Sequence, residues 1–548
     1  MIQDPAVAGP KIDRVVEDWL GAHEDHYLDG PVTPRLAVVD LDPDTEQLVP
    51  GAEFLPPNGR TPGTYRADTA MIESPNFIQT SVFGTVLRTM YLFEESDTLG
   101  RRVSWGFDAP QLFVVPRAGW KENAFYERRS HSLQFFAFRS GGRTVYTSLS
   151  RDIVAHEAAH ALLDGIAPDL YDALDPQSLA LHEAIADLVA MLIAFRSPRL
   201  REAVLGETNG SIEKSTEFSS IGEEFGRAID PNGKAGYLRN LLNDATLEPD
   251  MDPAGEPEEH ELSQVLTGVL YEFMYDLHEA KKKQLAVGGK TPFEVSGKAL
   301  VQAAERFKRM ILRGLDYLPP GEISFGDYAR AILAADQASH PRDERRQSLR
   351  NRLVRRGIVR STDDLEVVTN VEVEAVSAAD LPSLVDSDWV AYTFADRNRE
   401  LLRIPEGVQF QVLPRLVVTK DYYLGPTPTR IQELLFKVRW SHVEENPPDL
   451  GGTATRRIQT GTTLVIDVGK QIVRACMKPL DLGSRRRARD AQLRRLMERG
   501  LVHPSTATDD ERLQQTLGTG IEAVVIGGTL RVRNTARKLH IAKDAEDD

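Results

Sequence analysis

The segment His156-Glu157-Ala158-Ala159-His160, taken with Glu183 and Asp187, constrains this chain more than any other feature, because it asks for two helices that meet at one metal ion. Residues four apart share a helix face, so the two imidazoles can reach one ion at about 2.0–2.1 Å. Glu157, one step round the helix, stays off the metal and beside its open position. A catalytic zinc takes three protein ligands and a water, so one more ligand is expected from a neighbouring element. Asp175-Pro176-Gln177-Ser178 reads as an N-cap followed by proline at the first helical position, opening a helix that is expected to run to about Phe195, before Ser197-Pro198. On that helix Glu183 and Asp187 again lie four apart. Glu183 is the expected third ligand, and Asp187 the acceptor for the second ring N–H of a ligating histidine, most simply His156. Both helices also carry apolar stripes, Ile153, Val154, Ala161 and Leu162 on one and Leu181, Ile185, Leu188, Val189 and Leu192 on the other. The plainer reading is therefore a pair of core helices with solvated or satisfied polar faces. Two matched motifs rather than one favour the metal.

At 548 residues the chain has room for two to four domains of ordinary size. A net charge of -16 argues against nucleic-acid binding, which needs a concentrated basic surface. Met1-Ile2-Gln3-Asp4-Pro5 carries neither a basic n-region nor an apolar h-region, and no later stretch approaches eighteen uninterrupted apolar residues. Neither Sec export nor a membrane span is expected; a cytoplasmic location is, with non-classical export as the other route. Cys476 is the single cysteine, which excludes internal disulfides and thiolate ligation of the metal.

Along the chain, residues 1–65 read as an N-terminal lead-in or cap, with a short helix at 12–20 and a strand at 35–41. A helix is expected over 76–99, strands near 111–115, 132–138 and 144–148, and predominantly helical structure from 150 to about 358, ending in arginine-rich helices. The loop 206–236 has a length and Gly/Ser/Glu content that permit closure over a cleft. Past Asp363 the pattern alternates, as in Val408, Phe410 and Val412, in Phe436, Val438 and Trp440, and in Leu530 and Val532. This predicts a separate, mainly β accessory domain over 364–548. Its single expected helix, Arg485 to Glu498, reads as a solvated basic face, with an acidic partner as the sharper alternative.

Four motifs in one order carry a family resemblance: Asn123-Ala124-Phe125-Tyr126; Asp152-Ile153-Val154-Ala155-His156-Glu157; Glu183-Ala184-Ile185-Ala186-Asp187; and His260 followed by Ser263 and Gly268. Together they resemble thermolysin-type metallopeptidases of the gluzincin group, over roughly residues 65–360. The resemblance implies an α+β, two-lobed catalytic domain over 66–360 with a β-containing N-lobe, a helical C-lobe and one Zn²⁺. It implies Glu157 as general base and proton shuttle, and Tyr171, eleven residues after His160, and His260 as hydrogen-bond donors to the tetrahedral oxyanion. Asn123 and Ala124 would hold an extended substrate backbone, and Arg239 a substrate carbonyl beyond the cut. Three departures matter. No signal peptide or inhibitory propeptide is recognisable. No acidic residue lies between Leu188 and Arg196, so a paired calcium site is not expected. The Gly-x-Met-Glu-Asn signature of gluzincin aminopeptidases is missing, which favours an endopeptidase. The expected function is zinc-dependent cleavage of protein or peptide substrates, with the C-terminal domain selecting substrate or engaging a partner or regulator. The alternatives are a catalytically silent zinc-fold scaffold, or a toxin or effector protease delivered by a non-Sec route.

Overall fold

A computed structural model describes residues 26–534 apart from 60–62, 68, 230–235, 248–258, 425–426, 447–454, 481, 499–501, 504–520 and 527–528. The helix expected at 12–20 lies outside the described residues. With 45% helix and 20% strand the chain is α+β.

The N-terminal part is built on a four-stranded sheet of β1 (Leu36–Val38), β2 (Leu112–Val115), β3 (Ala124–Glu127) and β4 (Ser132–Phe135), in the order β1-β2-β4-β3. The first three strands in that order run parallel, and β3 closes one edge antiparallel to β4. The strand expected at 35–41 is present as Leu36–Val38, and it is a member of this sheet. Leu36 and Val38 are buried in the same core as Leu112 and Val114, because β1 pairs residue for residue with β2. Helix α1 (Pro75–Glu94) packs against α2 (Arg151–Ile166), which starts on a Ser150 side-chain cap with Asp152 in its first turn. Helix α3 (Pro176–Phe195) opens as Asp175-Pro176 predicts, with Asp175 Oδ1 accepting the Gln177 amide at 2.9 Å. By length and mean hydropathy α3 could cross a membrane, yet it is wholly buried in protein. It is the central core helix, packed by α2 on one side and by α4 (Glu259–Leu285) on another, with α5 (Pro292–Tyr317) and α6 (Phe325–Ser339) completing the helical layer.

The C-terminal part departs from the sequence reading in two ways. It is mainly β, as expected, but it holds more than one helix. Short helices at Glu374–Ser377, Leu381–Asp386, Asp388–Arg397 and Arg399–Leu402 lie between the sheet's first strand, Thr369–Val371, and the rest of it. Their apolar residues Leu381, Leu384, Ala391, Ala395 and Leu402 recur at helical spacing and cover one sheet face. Nor is the sheet separate. Its main strands, β5 (Leu416–Tyr422), β6 (Thr429–Glu445), β7 (Thr455–Asp467) and β8 (Ile472–Met477), are antiparallel neighbours. Alternate residues divide between the two faces. Leu434, Phe436, Leu464 and Val473 point to the short helices, while Leu435, Val465, Ala475 and Met477 join the core of the helical layer. At Gly321, φ +98°, a Cβ atom would stand 2.0 Å from the Gln459 carbonyl oxygen, so only glycine admits this approach of the α5–α6 connection to β7.

Polar bonds cross the same boundary. Lys420 Nζ, fully buried, lies 2.7 Å from Asp316 and 3.2 Å from Glu433, and Arg101 holds the other Asp316 oxygen at 2.7 Å. Thr463 Oγ1 and Lys437 Nζ donate to the Leu318 carbonyl at 2.6 and 3.1 Å. The basic helix α7 (Arg486–Glu498) has an internal partner rather than a purely solvated face. Arg489 is 0% exposed and bonded to Glu444 and Glu322, and Arg485, just before it, reaches Asp175 at 3.0 Å.

Candidate metal centre and its cavity

Three ligand atoms converge between α2 and α3. His156 Nε2 and His160 Nε2 are 3.0 Å apart, and Glu183 oxygens lie 3.3 Å from the first and 3.4 Å from the second. Ligands at 2.0–2.1 Å from a tetrahedral zinc stand roughly 3.3–3.4 Å from one another, so the spacing fits that ion. Both Glu183 oxygens are buried and face only the ring nitrogens of His156, His160 and His260, at 3.3–3.4 Å, an arrangement that suits a carboxylate sharing a cation with them. Burial alone would raise the Glu183 pKa, but His260, His160 and His156 outweigh it and hold the carboxyl well below its usual range. A second carboxylate group, Glu95, Asp97 and Glu305, is already occupied by a protein cation, the Lys308 ammonium.

Asp187 Oδ1 lies 2.8 Å from His156 Nδ1, the ring atom that does not face the other ligands. Arg239 grips the same carboxylate through Nε at 2.9 Å and Nη2 at 2.7 Å, and this, against burial, keeps Asp187 ionised. The His156 pKa responds to opposing effects: burial lowers it, while Asp187 and Glu183 together raise it to about 9. In the metal-free protein His156 is thus protonated at neutral pH, and a metal must displace that proton. Apparent zinc affinity is expected to rise about tenfold per pH unit up to about 9 and then level off. About one proton should be released per zinc at pH 7, readable by calorimetric titration in two buffers of different ionisation enthalpy. Heats independent of the buffer would contradict a protonated His156.

A cavity of about 440 Å³ opens over this group, lined by His156, Glu157, His260 and Arg239, by Asn123 and Ala124 at the start of β3, and by an apolar wall of Ile153, Ile221, Phe225, Ile229 and Leu238. Ile221, Phe225 and Ile229 come from the 206–236 segment, part of which is the helix Glu223–Ile229. Glu157 is buried beside the ligands without joining them, and its Oε2 accepts the Tyr126 amide of β3 at 3.0 Å. His260, in the first turn of α4, places Nε2 3.3 Å from Glu183 Oε2.

Tyr171 is the sequence-predicted residue that the structure does not bring to the cavity. After α2 the chain turns through a 3₁₀ segment, Pro168–Leu170, and the Tyr171 ring, 1% exposed, packs edge-on against Tyr126 and His182. The Arg128 guanidinium covers its face at 4.4 Å, and its hydroxyl is buried without a protein partner. His182, next to Glu183 on α3, is a site neighbour that sequence reasoning missed: its Nδ1 lies 2.6 Å from His160 Nδ1. The available signal was a lone imidazole in a helix otherwise almost entirely apolar and beside a proposed ligand. No family model and no curated protein matches this sequence.

Proposed function

We propose that the chain is a zinc-dependent endopeptidase with a two-lobed, thermolysin-like catalytic domain. The observation that carries this reading is the combination of three ligand atoms at tetrahedral spacing with an unligated carboxylate, Glu157, on the wall of the same cavity. A zinc ion bound there would lower the pKa of its water toward about 7 and polarise the scissile carbonyl. Glu157 takes the proton from the attacking water and passes it to the leaving amine. The Tyr126 amide, held by Oε2 at 3.0 Å, fixes the carboxylate's rotation beside the ligands. His260 is the oxyanion donor at the cavity, its Nε2 3.3 Å from Glu183 Oε2. Tyr171 is not assigned that role, in keeping with its burial. Asn123 and Ala124, at the start of the edge strand β3, suit backbone pairing with an extended chain. Arg239, clamped by Asp187 through Nε and Nη2, retains Nη1 for a substrate carbonyl.

The apolar wall supports a large aliphatic or aromatic side chain beside the cut bond. Each buried methylene is worth about 1–3 kcal/mol of discrimination in such a pocket. A peptide pair differing only in Leu against Ala at that position is expected to differ tenfold or more in kcat/KM. Equal rates, or preference for an acidic side chain, would remove the pocket from the specificity account.

A further inference from the structure

The metal reading leaves unexplained how His160 is held. A ligating imidazole gives one nitrogen to the metal, and its other nitrogen then carries a proton that needs an acceptor. For His156 that acceptor is Asp187. His160 turns Nε2 toward the other ligand atoms and Nδ1 toward His182 Nδ1, 2.6 Å away, with the two rings edge to edge, their planes inclined by 26° and their centroids 4.8 Å apart. From this geometry, and resting on the zinc site proposed above, we infer that His182 is a positioning residue: its neutral Nδ1 accepts the His160 Nδ1–H and fixes the tautomer that presents Nε2 to the metal.

The direction of that bond follows from the ligand: with Nε2 given to the metal, His160 carries its proton on Nδ1, and His182 Nδ1 can only accept it. If His182 accepts at Nδ1, its proton sits on Nε2, and that atom is buried and without a protein partner. The Tyr171 hydroxyl is likewise buried and without one, and the two rings meet edge-on at 5.7 Å. Tyr171 thus belongs with His182 behind the ligands, which accounts for its place in the core. Charge explains why an imidazole and not another carboxylate fills this position. Glu157, Glu183 and Asp187 are already buried around the site, with Arg239 the cation paired to Asp187. Those four groups and a divalent ion sum to zero. A carboxylate at position 182 would leave a net negative charge in a region shut off from water.

The test is zinc affinity of the full chain, measured by competition with a chromophoric chelator for the wild type, His182→Ala and His182→Asn. Asparagine restores an acceptor oxygen; alanine does not. His182→Ala is expected to bind zinc about 10–100-fold more weakly, His182→Asn to recover most of the loss, and the melting temperatures of the two metal-free variants to agree. Wild-type affinity in His182→Ala, or no recovery in His182→Asn, overturns the inference. A wild-type protein that takes up no zinc would instead sink the metal reading beneath it.

Discussion

Replacing Glu157 by glutamine is expected to leave the protein folded and zinc-loaded while lowering peptide hydrolysis by roughly 10²–10⁴-fold or more. The substitution keeps the side chain's shape, and the amide oxygen can still accept the Tyr126 N–H that now meets Oε2 at 3.0 Å. What it removes is the ability to take a proton. Because Glu157 is not among the three converging ligands, metal content should not change. Steady-state hydrolysis and metal analysis on the same samples separate the two effects. Undiminished hydrolysis would end the general-base role; loss of zinc along with hydrolysis would mean that Glu157 acts as a ligand.

The other large effect concerns the C-terminal sheet. The sequence reading of a detachable domain predicts that residues 1–363 alone keep peptide hydrolysis, whereas the packing predicts that they do not fold. Removing β5 to β8 strips Val418, Leu435, Val465 and Met477 from the shared core and leaves Asp316 buried without its Lys420 partner. A gentler probe is Lys420→Met in the full chain. It deletes the cation between Asp316 and Glu433, all three side chains being no more than 1% exposed. Breaking a buried pair by removing one partner typically destabilises by about 3–5 kcal/mol, and here Arg101 on Asp316 and Arg474 on Glu433 place the loss at the lower end of that range. Denaturant unfolding should therefore shift by about that amount. A soluble, cooperatively folded 1–363 fragment with wild-type activity would restore the two-domain view.

How much of this was legible in the sequence depended on how local each signal was. His156, His160, Glu183 and Asp187 could be read because helical spacing alone puts them on facing surfaces, and the caps Ser150 and Asp175 fix where those helices begin. His182 escaped because the same i, i+4 logic selects pairs, and its partner His160 lies on another helix. Tyr171 illustrates the limit of spacing: a fixed offset from His160 cannot say which way a ring turns after a 3₁₀ segment, and here it turns inward under Arg128. In the C-terminal region alternation identified Phe436, Val438 and Trp440 as strand residues. Period two states that a strand has two faces, not what covers each. That the helical layer covers one face, and that Arg489 answers Glu444 and Glu322 from far along the chain, are tertiary facts with no local trace.

The most direct test of the zinc-peptidase account is a mixed peptide library digested by the wild-type protein whose metal content is measured in the same preparation. The account predicts one zinc per chain, internal cuts beside large apolar side chains, loss of cutting on chelation and its return with added zinc. One firmly bound zinc and an intact library would contradict it, and would leave the site as a structural centre.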